Sequence, residues 1–326
     1  MSFPENKSVA TGIAPAALKG NSAPAVMVVI AFAIVYIVWG STYFFIRMCL
    51  QSFPPMLLGF LRFAIAGILM LIWCVLRGEP IFVWKTIRPA IVSGVLLLFF
   101  GTGTLIWTEQ YLASSLAAIL LASGPAWFVI LDKRNWATNF RSRQTIGGLI
   151  MGFVGVILLF GVRLQNGSAT GAGNQWQAVV MIILLLAAVA WAAGSLYSKY
   201  HSSGNSSSVN AGWQMLAAGL AFIPVGLCTG ETHGFHWGEV TVSSWLSLAY
   251  LITMGSLAGY SAFVWLLQVR PATQVSTHAY VNPVVAVLLG VLFAGEKMSF
   301  LLPMGLAIIL LGVLLINMAK YRKVAA

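Results

Sequence analysis

Ten runs of apolar residues follow one another along this chain, separated only by short polar breaks. Most are close to the ~20 residues that a helix needs to cross the hydrocarbon of a bilayer. They lie near residues 23–50, 54–76, 88–108, 113–131, 145–162, 176–200, 210–229, 241–267, 272–295 and 300–318, taking each run between polar, glycine or proline interruptions. A helix satisfies its own backbone hydrogen bonds and can therefore stand in lipid, where irregular chain cannot. The pattern predicts an all-α integral membrane fold of ten transmembrane helices. Only 8% of the residues are charged, against roughly a quarter in a soluble domain, so water is excluded as the main solvent.

The first run is far longer than the apolar core of a signal peptide and is expected to remain as a helix. Residues 1–22, with Pro4, Gly12, Pro15 and Gly20, lack a helical period and are expected to form a cytoplasmic tail.

A net charge of +11 could suit a nucleic acid, but the basic residues gather in alternate loops rather than on one face. With the N-terminus inside, fourteen of the eighteen Lys and Arg fall in inner segments. Arg163 and Lys297 occupy outer loops, while Arg47 and Arg62 sit within runs. By the positive-inside rule both termini are cytoplasmic, which requires an even number of spans. The charge is thus a topological signal, and the predicted partner is the lipid bilayer. Cys49, Cys74 and Cys228 lie in apolar runs without CxxC spacing and predict neither disulfide nor metal. His233 and His236, with Glu231 and Glu239, share an outer loop but lack a helical HExxH frame, so no metal or cofactor is expected.

The chain also repeats itself. A shift of 158 residues lays Trp107 on Trp265, Gln110 on Gln268 and Pro125 on Pro283. A shift of 154 lays Gly40 and Tyr43 on Gly194 and Tyr197, and one of 157 lays Gly148 and Gly155 on Gly305 and Gly312. The division predicted is a first repeat at 23–162, an outer linker at 163–175, a second repeat at 176–318 and a short tail at 319–326. Five helices per repeat is odd, so the second half enters the membrane from the opposite side. Inverted repeats of this kind place a site at the seam between the halves and expose it to each side in turn.

The stretches WGSTYFFIR (Trp39 to Arg47), FPPMLLGFLRFAIAG (Phe53 to Gly67) and AYVNPVVAVLLGVLFAGE (Ala279 to Glu296) resemble the EamA branch of the drug/metabolite transporter superfamily, nearest to its bacterial ten-helix amino-acid and metabolite exporters. The resemblance covers residues 24 to 318. It implies a transporter with a central cavity lined by helices 1 to 4 and 6 to 9, with helices 5 and 10 set to the side.

Several residues could line such a cavity. Gln274, His278 and Asn282 recur every fourth residue on helix 9, within ~80° of one face, and either face a cavity or bond to neighbouring helices. Tyr280 lies on the same helix. Pro283 lacks an N–H and frees the carbonyl of Ala279. Pro125 and Pro283, with Gly40 and Gly194, are the candidate bending or gating positions. Arg62 stands roughly 12 Å into helix 2 and needs either a partner or an aqueous cavity. Tyr43, Trp39, Trp107, Trp191, Tyr197 and Tyr260 are candidate aromatic walls, each with plain packing as its alternative.

No Asp or Glu falls in the middle of a predicted span, and Glu109 and Glu296 lie near outer ends. A carboxylate proton relay is not apparent, which favours facilitated or exchange transport. One cation, one polar face and many aromatics suit a small zwitterion, so export of neutral or aromatic amino acids is expected. The alternatives are efflux of drugs or lipophilic cations and, more remotely, a membrane-embedded enzyme, for which no nucleophile and base pair is evident.

Overall fold

A computed structural model describes residues 23–112, 114–165, 175–201, 206–293 and 301–318. Both predicted tails, most of the 163–175 linker, and Glu296 with Lys297 lie outside the described residues. Within them all regular structure is helical: α1 Ala25–Cys49, α2 Pro55–Leu76, α3 Trp84–Thr108, α4 Ser114–Leu121, α5 Gly124–Leu131, α6 Trp136–Arg141, α7 Arg143–Gln165, α8 Gln175–His201, α9 Ser207–Thr229, α10 Val242–Val269, α11 Ala272–Val275, α12 His278–Phe293 and α13 Leu301–Met318. Six of these, α1, α2, α3, α8, α9 and α10, are long and apolar enough to cross a membrane. Their outward faces carry exposed Val29, Ile37, Ile68, Ile72, Leu186 and Leu220, which in water would be a liability and in lipid is the expected solvation.

Two of the predicted continuous helices are broken. Residues 122–123 separate α4 from α5, and Pro125 then sits in the first turn of α5, where a missing N–H costs nothing. Ser276 and Thr277 separate α11 from α12, and their hydroxyls donate to the carbonyls of Thr273 (2.9 Å) and Gln274 (2.6 Å). These are acceptors that a helix end leaves open. Pro283, by contrast, lies inside α12 without ending it. The two prolines that the repeat aligns are therefore not structurally equivalent.

α3 and α10 each contain a stretch of wide π-helical turns, at Val95–Gly103 and Leu251–Tyr260. Such turns are rare and mark places where a helix is bent to serve a site. Shifted by the 158 residues that align Trp107 with Trp265, the first stretch falls on residues 253–261 and overlaps most of the second.

The tightest helix contacts are made through glycine. α2 packs along α9, and a Cβ added at Gly67 or at Gly219 would lie 2.5 Å from the backbone nitrogen of Leu216 or of Ala64. α7 packs along α13 in the same way: a Cβ at Gly148 would stand 2.6 Å from the Gly312 carbonyl oxygen, and one at Gly312 would stand 2.7 Å from the Gly152 nitrogen. Lipid tails are as apolar as leucine, so helices in a bilayer are held by close backbone approach rather than by burial of oil.

One buried polar junction ties four helices together. The Gln214 amide nitrogen on α9 donates to Ser93 of α3 and Ser198 of α8, both at 2.8 Å, and its carbonyl oxygen accepts from Tyr260 of α10 at 2.8 Å. Removing the amide leaves the buried Tyr260 hydroxyl without its acceptor, while Ser93 keeps the Pro89 carbonyl and Ser198 keeps the Asn210 amide. Gln214→Leu is expected to destabilise the protein by about 1–3 kcal/mol. The drop should appear as a lower unfolding midpoint in detergent, and an unchanged midpoint would show that the junction is not needed.

Candidate functional site

A central cavity of about 90 Å³ lies between α1, α2, α3, the α4–α5 pair, α8, α10 and α12. At ~10–15 Å³ of such space per water it holds a few waters or part of a small solute. Its walls are Trp39, Phe63, Phe128, Trp191 and Tyr260, and its polar groups are Thr42, Tyr43, Arg62, Thr102, His278 and Asn282. Arg62 is the charged residue among those that line it.

Arg62 is only 4% exposed. Its Nε donates to Ser256 Oγ at 3.0 Å, and its guanidinium carbon lies 4.9 Å from the centre of the Phe63 ring. Nη1 is buried with no hydrogen-bond partner among the described residues. A Cβ at Gly255 would come within 3.0 Å of Nη2, so that glycine makes room for the guanidinium. A buried charge with unused donors is costly unless something anionic completes it.

The aromatic walls are fixed from both halves of the chain. Trp39 Nε1 donates to the Gly255 carbonyl at 3.0 Å. The Trp39 and Trp191 rings meet edge to face at 5.4 Å, and His278 packs against Trp39 at 5.1 Å. His278 Nδ1 points to the Val275 carbonyl at 2.9 Å; since that oxygen can only accept, Nδ1 carries a proton. Trp191 lies over Gly101 and Trp39 over Gly259, where an added Cβ would approach to 2.9 and 2.6 Å. Each tryptophan thus covers a glycine in the π-helical stretch of the opposite half. Gly101 and Gly259 share the 158-residue shift, a signal that could have singled them out from sequence.

On the outer side of the cavity the Tyr43 hydroxyl is within hydrogen-bonding reach of the Asn282 side chain. Asn282 is buried, and its Oδ1 has no partner among the described residues. Glu109 follows the last residue of α3 and is 5% exposed, with neither carboxyl oxygen bonded among the described residues. Burial pushes its carboxyl well above the usual carboxylate range, and Arg47 pulls it partly back.

The cavity gathers Trp39, Tyr43, Arg62, Trp191, Tyr260, His278 and Asn282 from the sequence-derived set, and the remaining candidates lie elsewhere. Gln274 falls on the short helix before the Ser276–Thr277 break, which interrupts the four-residue period, and donates to the Asn317 carbonyl at 3.1 Å. Tyr280 points away, with its ring against Gly152 and its hydroxyl donating to the Leu149 carbonyl at 3.1 Å. Trp107 packs with Tyr111 and Trp176 in a separate aromatic cluster, and Tyr197 stacks on His201 at 4.2 Å near the C-terminal end of α8. Of the glycines, Gly40 allows α1 to touch Val285 of α12, and Gly194 allows α8 to touch Leu96 and Leu97. Thr42, Thr102, Ser256 and Gly255 were not singled out from sequence. Ser256 could have been sought as the partner that Arg62 requires.

The helix ends around Asp132, Tyr200 and Arg270 are tied together. Tyr200 of α8 donates to Asp132 at 2.5 Å, Asn135 donates to the same carboxylate at 2.9 Å, and Lys199 donates to the carbonyls of Leu267 and, at 2.7 Å, Arg270.

Comparison with known proteins agrees with this architecture. The model of the EamA-like transporter family matches the chain twice, over residues 26–161 and 178–318. The chain is 34% identical over 288 residues to "Uncharacterized inner membrane transporter YedA" of Escherichia coli strain K12, covering 88% of this chain and 89% of that one. It is 24% identical over 308 residues to "Uncharacterized transporter YvbV" of Bacillus subtilis strain 168, covering 93% and 96% of the two chains. A solved crystal structure at 19% identity superposes with a TM-score of 0.71, covering 90% of this chain and 98% of the other, and so shares its fold. With its apolar helices and a family model matched over most of its length, the chain belongs to the EamA-like transporter family and is a multi-pass membrane transporter.

Proposed function

We propose that this transporter exports neutral or aromatic amino acids from the cytoplasm across a bacterial inner membrane. It would do so through ten spans arranged as two inverted halves, with both termini cytoplasmic. The observation that carries the substrate class is the Arg62 guanidinium, whose Nη1 has no partner among the described residues and which is the charged group among the described residues that line the cavity. A planar guanidinium takes a carboxylate through paired, charge-assisted hydrogen bonds. The substrate ammonium then finds Asn282 Oδ1 and the Ala279 carbonyl on the opposite wall, and its side chain packs among Trp39, Phe128 and Trp191.

The inverted arrangement is supported by the twofold family match, by the overlapping π-helical stretches and by the pairing of α2 with α9 and of α7 with α13. Alternating access follows if the tied inner ends part as the outer ends close. A lipophilic cation would suit the aromatic walls, but Arg62 would repel it at short range in a medium of low dielectric.

The test is uptake of labelled phenylalanine and threonine into liposomes holding the purified protein. Entry well above that into empty vesicles, competed by unlabelled amino acid and not by a lipophilic cation, is the expected result. Flux equal to the empty control for both amino acids would remove this substrate class.

A further inference from the structure

Glu109 is the buried ionisable group that substrate binding leaves unused. Its backbone N–H closes the last turn of α3 on the Leu105 carbonyl at 3.0 Å, and Leu105 lines the cavity. The carboxyl is buried, and neither oxygen meets a donor among the described residues. In that setting the neutral acid is tolerated and the carboxylate is not. The charge acting on it is that of Arg47 on α1, whose side chain is exposed. Arg62 of α2 turns instead to Ser256, and α4 with the outer half of α8 brings no titratable residue. Tyr43, one turn before Arg47, is close enough for Glu109 to act on it electrostatically, and its hydroxyl also reaches Asn282 at the cavity wall. Arg47, Glu109, Tyr43 and Asn282 are therefore successive electrostatic neighbours from the exposed Arg47 to the cavity wall.

We propose that Glu109 is the proton site of a substrate–proton exchange, in which a proton at Glu109 and a cationic group beside Asn282 oppose one another across Tyr43. This rests on the ammonium placement proposed above. The ammonium is favoured by the carboxylate and not by the neutral acid, and the coupling is reciprocal: substrate lowers proton affinity as the proton lowers substrate affinity. When substrate enters from the inside, the Glu109 O–H bond breaks, the proton passes to water on the inner side through the cavity, and the ammonium with Arg47 compensates the carboxylate. When substrate leaves to the outside, a proton from outer water restores the neutral acid. One proton enters for each substrate exported.

The full chain in liposomes tests this with phenylalanine as the probe. Acid-inside vesicles are expected to accumulate phenylalanine, about tenfold per pH unit for one-to-one exchange. Glu109→Gln, the isostere of the neutral acid, should lose that accumulation while still exchanging phenylalanine at equal pH, and Glu109→Met gives a second neutral replacement with the same expectation. Accumulation retained in either variant, or absent in a wild-type protein that does exchange phenylalanine, overturns the proposal. A second arm needs no substrate. The infrared spectrum of the wild type at neutral pH, minus that of Glu109→Gln, should show the carbonyl band of a protonated carboxyl, and a missing band also overturns it. If wild type moves no phenylalanine, the amino-acid reading falls and the band alone decides on the proton site.

Discussion

Replacing Arg62 with methionine is expected to cut phenylalanine transport by about 10- to 100-fold while the protein remains folded. Hydrogen bonds to a charged partner contribute about 1.5–3 kcal/mol each, and 1.4 kcal/mol corresponds to a factor of ten. The fold loses little, because among the described residues the guanidinium is held through Nε by Ser256 while Nη1 is unpaired. An unbranched apolar side chain of similar length removes an incompletely paired charge from the interior, a change that is often neutral or stabilising. Initial uptake rates at matched reconstitution, read beside the unfolding midpoint, separate the two effects. Arg62→Met with normal flux would take the guanidinium out of the site. Loss of both flux and folding would make it structural.

A large effect on folding is expected at Gly67. Its missing Cβ would meet the Leu216 nitrogen at 2.5 Å and the Leu216 Cα at 2.8 Å, and backbone cannot swing aside as a side-chain tip can. Gly67→Ala forces α2 and α9 apart along their length, at a cost of about 3 kcal/mol, and Gly67→Leu should abolish the monodisperse folded protein. Gly147 provides the control, since a Cβ there meets nothing within 4 Å. Unfolding midpoints and size-exclusion profiles in detergent of Gly67→Ala and Gly147→Ala check the contrast. Equal behaviour would mean that the α2–α9 crossing does not hold the bundle.

The spans and the central residues differed in how far they could be read from sequence alone. Arg62, His278 and Asn282 stood out because polar side chains in apolar runs are expensive and few, and all three border the cavity. Trp39 and Trp191 were legible only as aromatic candidates, because the same residue types serve packing, separate clusters and cavity walls. Trp107 and Tyr197 share that chemistry and lie in other surroundings. Gln274 was grouped with His278 on the premise of one continuous helix, but hydroxyls at Ser276 and Thr277 satisfy a break that no periodicity announces. Glu109 illustrates a further limit. Its place at the very end of an apolar run gave no sign of its burial, whereas tertiary packing over the C-terminal end of α3 buries it. Hydropathy reports where along the chain polarity resumes, and not what folds back over that point.

The π-helical stretches of α3 and α10 have a bearing on how the two halves could have diverged. An α-helix tolerates no insertion without turning everything beyond it by ~100° per residue, whereas a wide turn absorbs a spare residue locally. Excising one residue from Val95–Gly103 would let the helix tighten to ordinary pitch. Leu105, beyond the stretch, would keep its bearing on the cavity, while the local path that seats Gly101 against Trp191 would change. Each wide stretch is thus a place where a residue can be gained or lost without re-aiming the rest of its helix at the chamber.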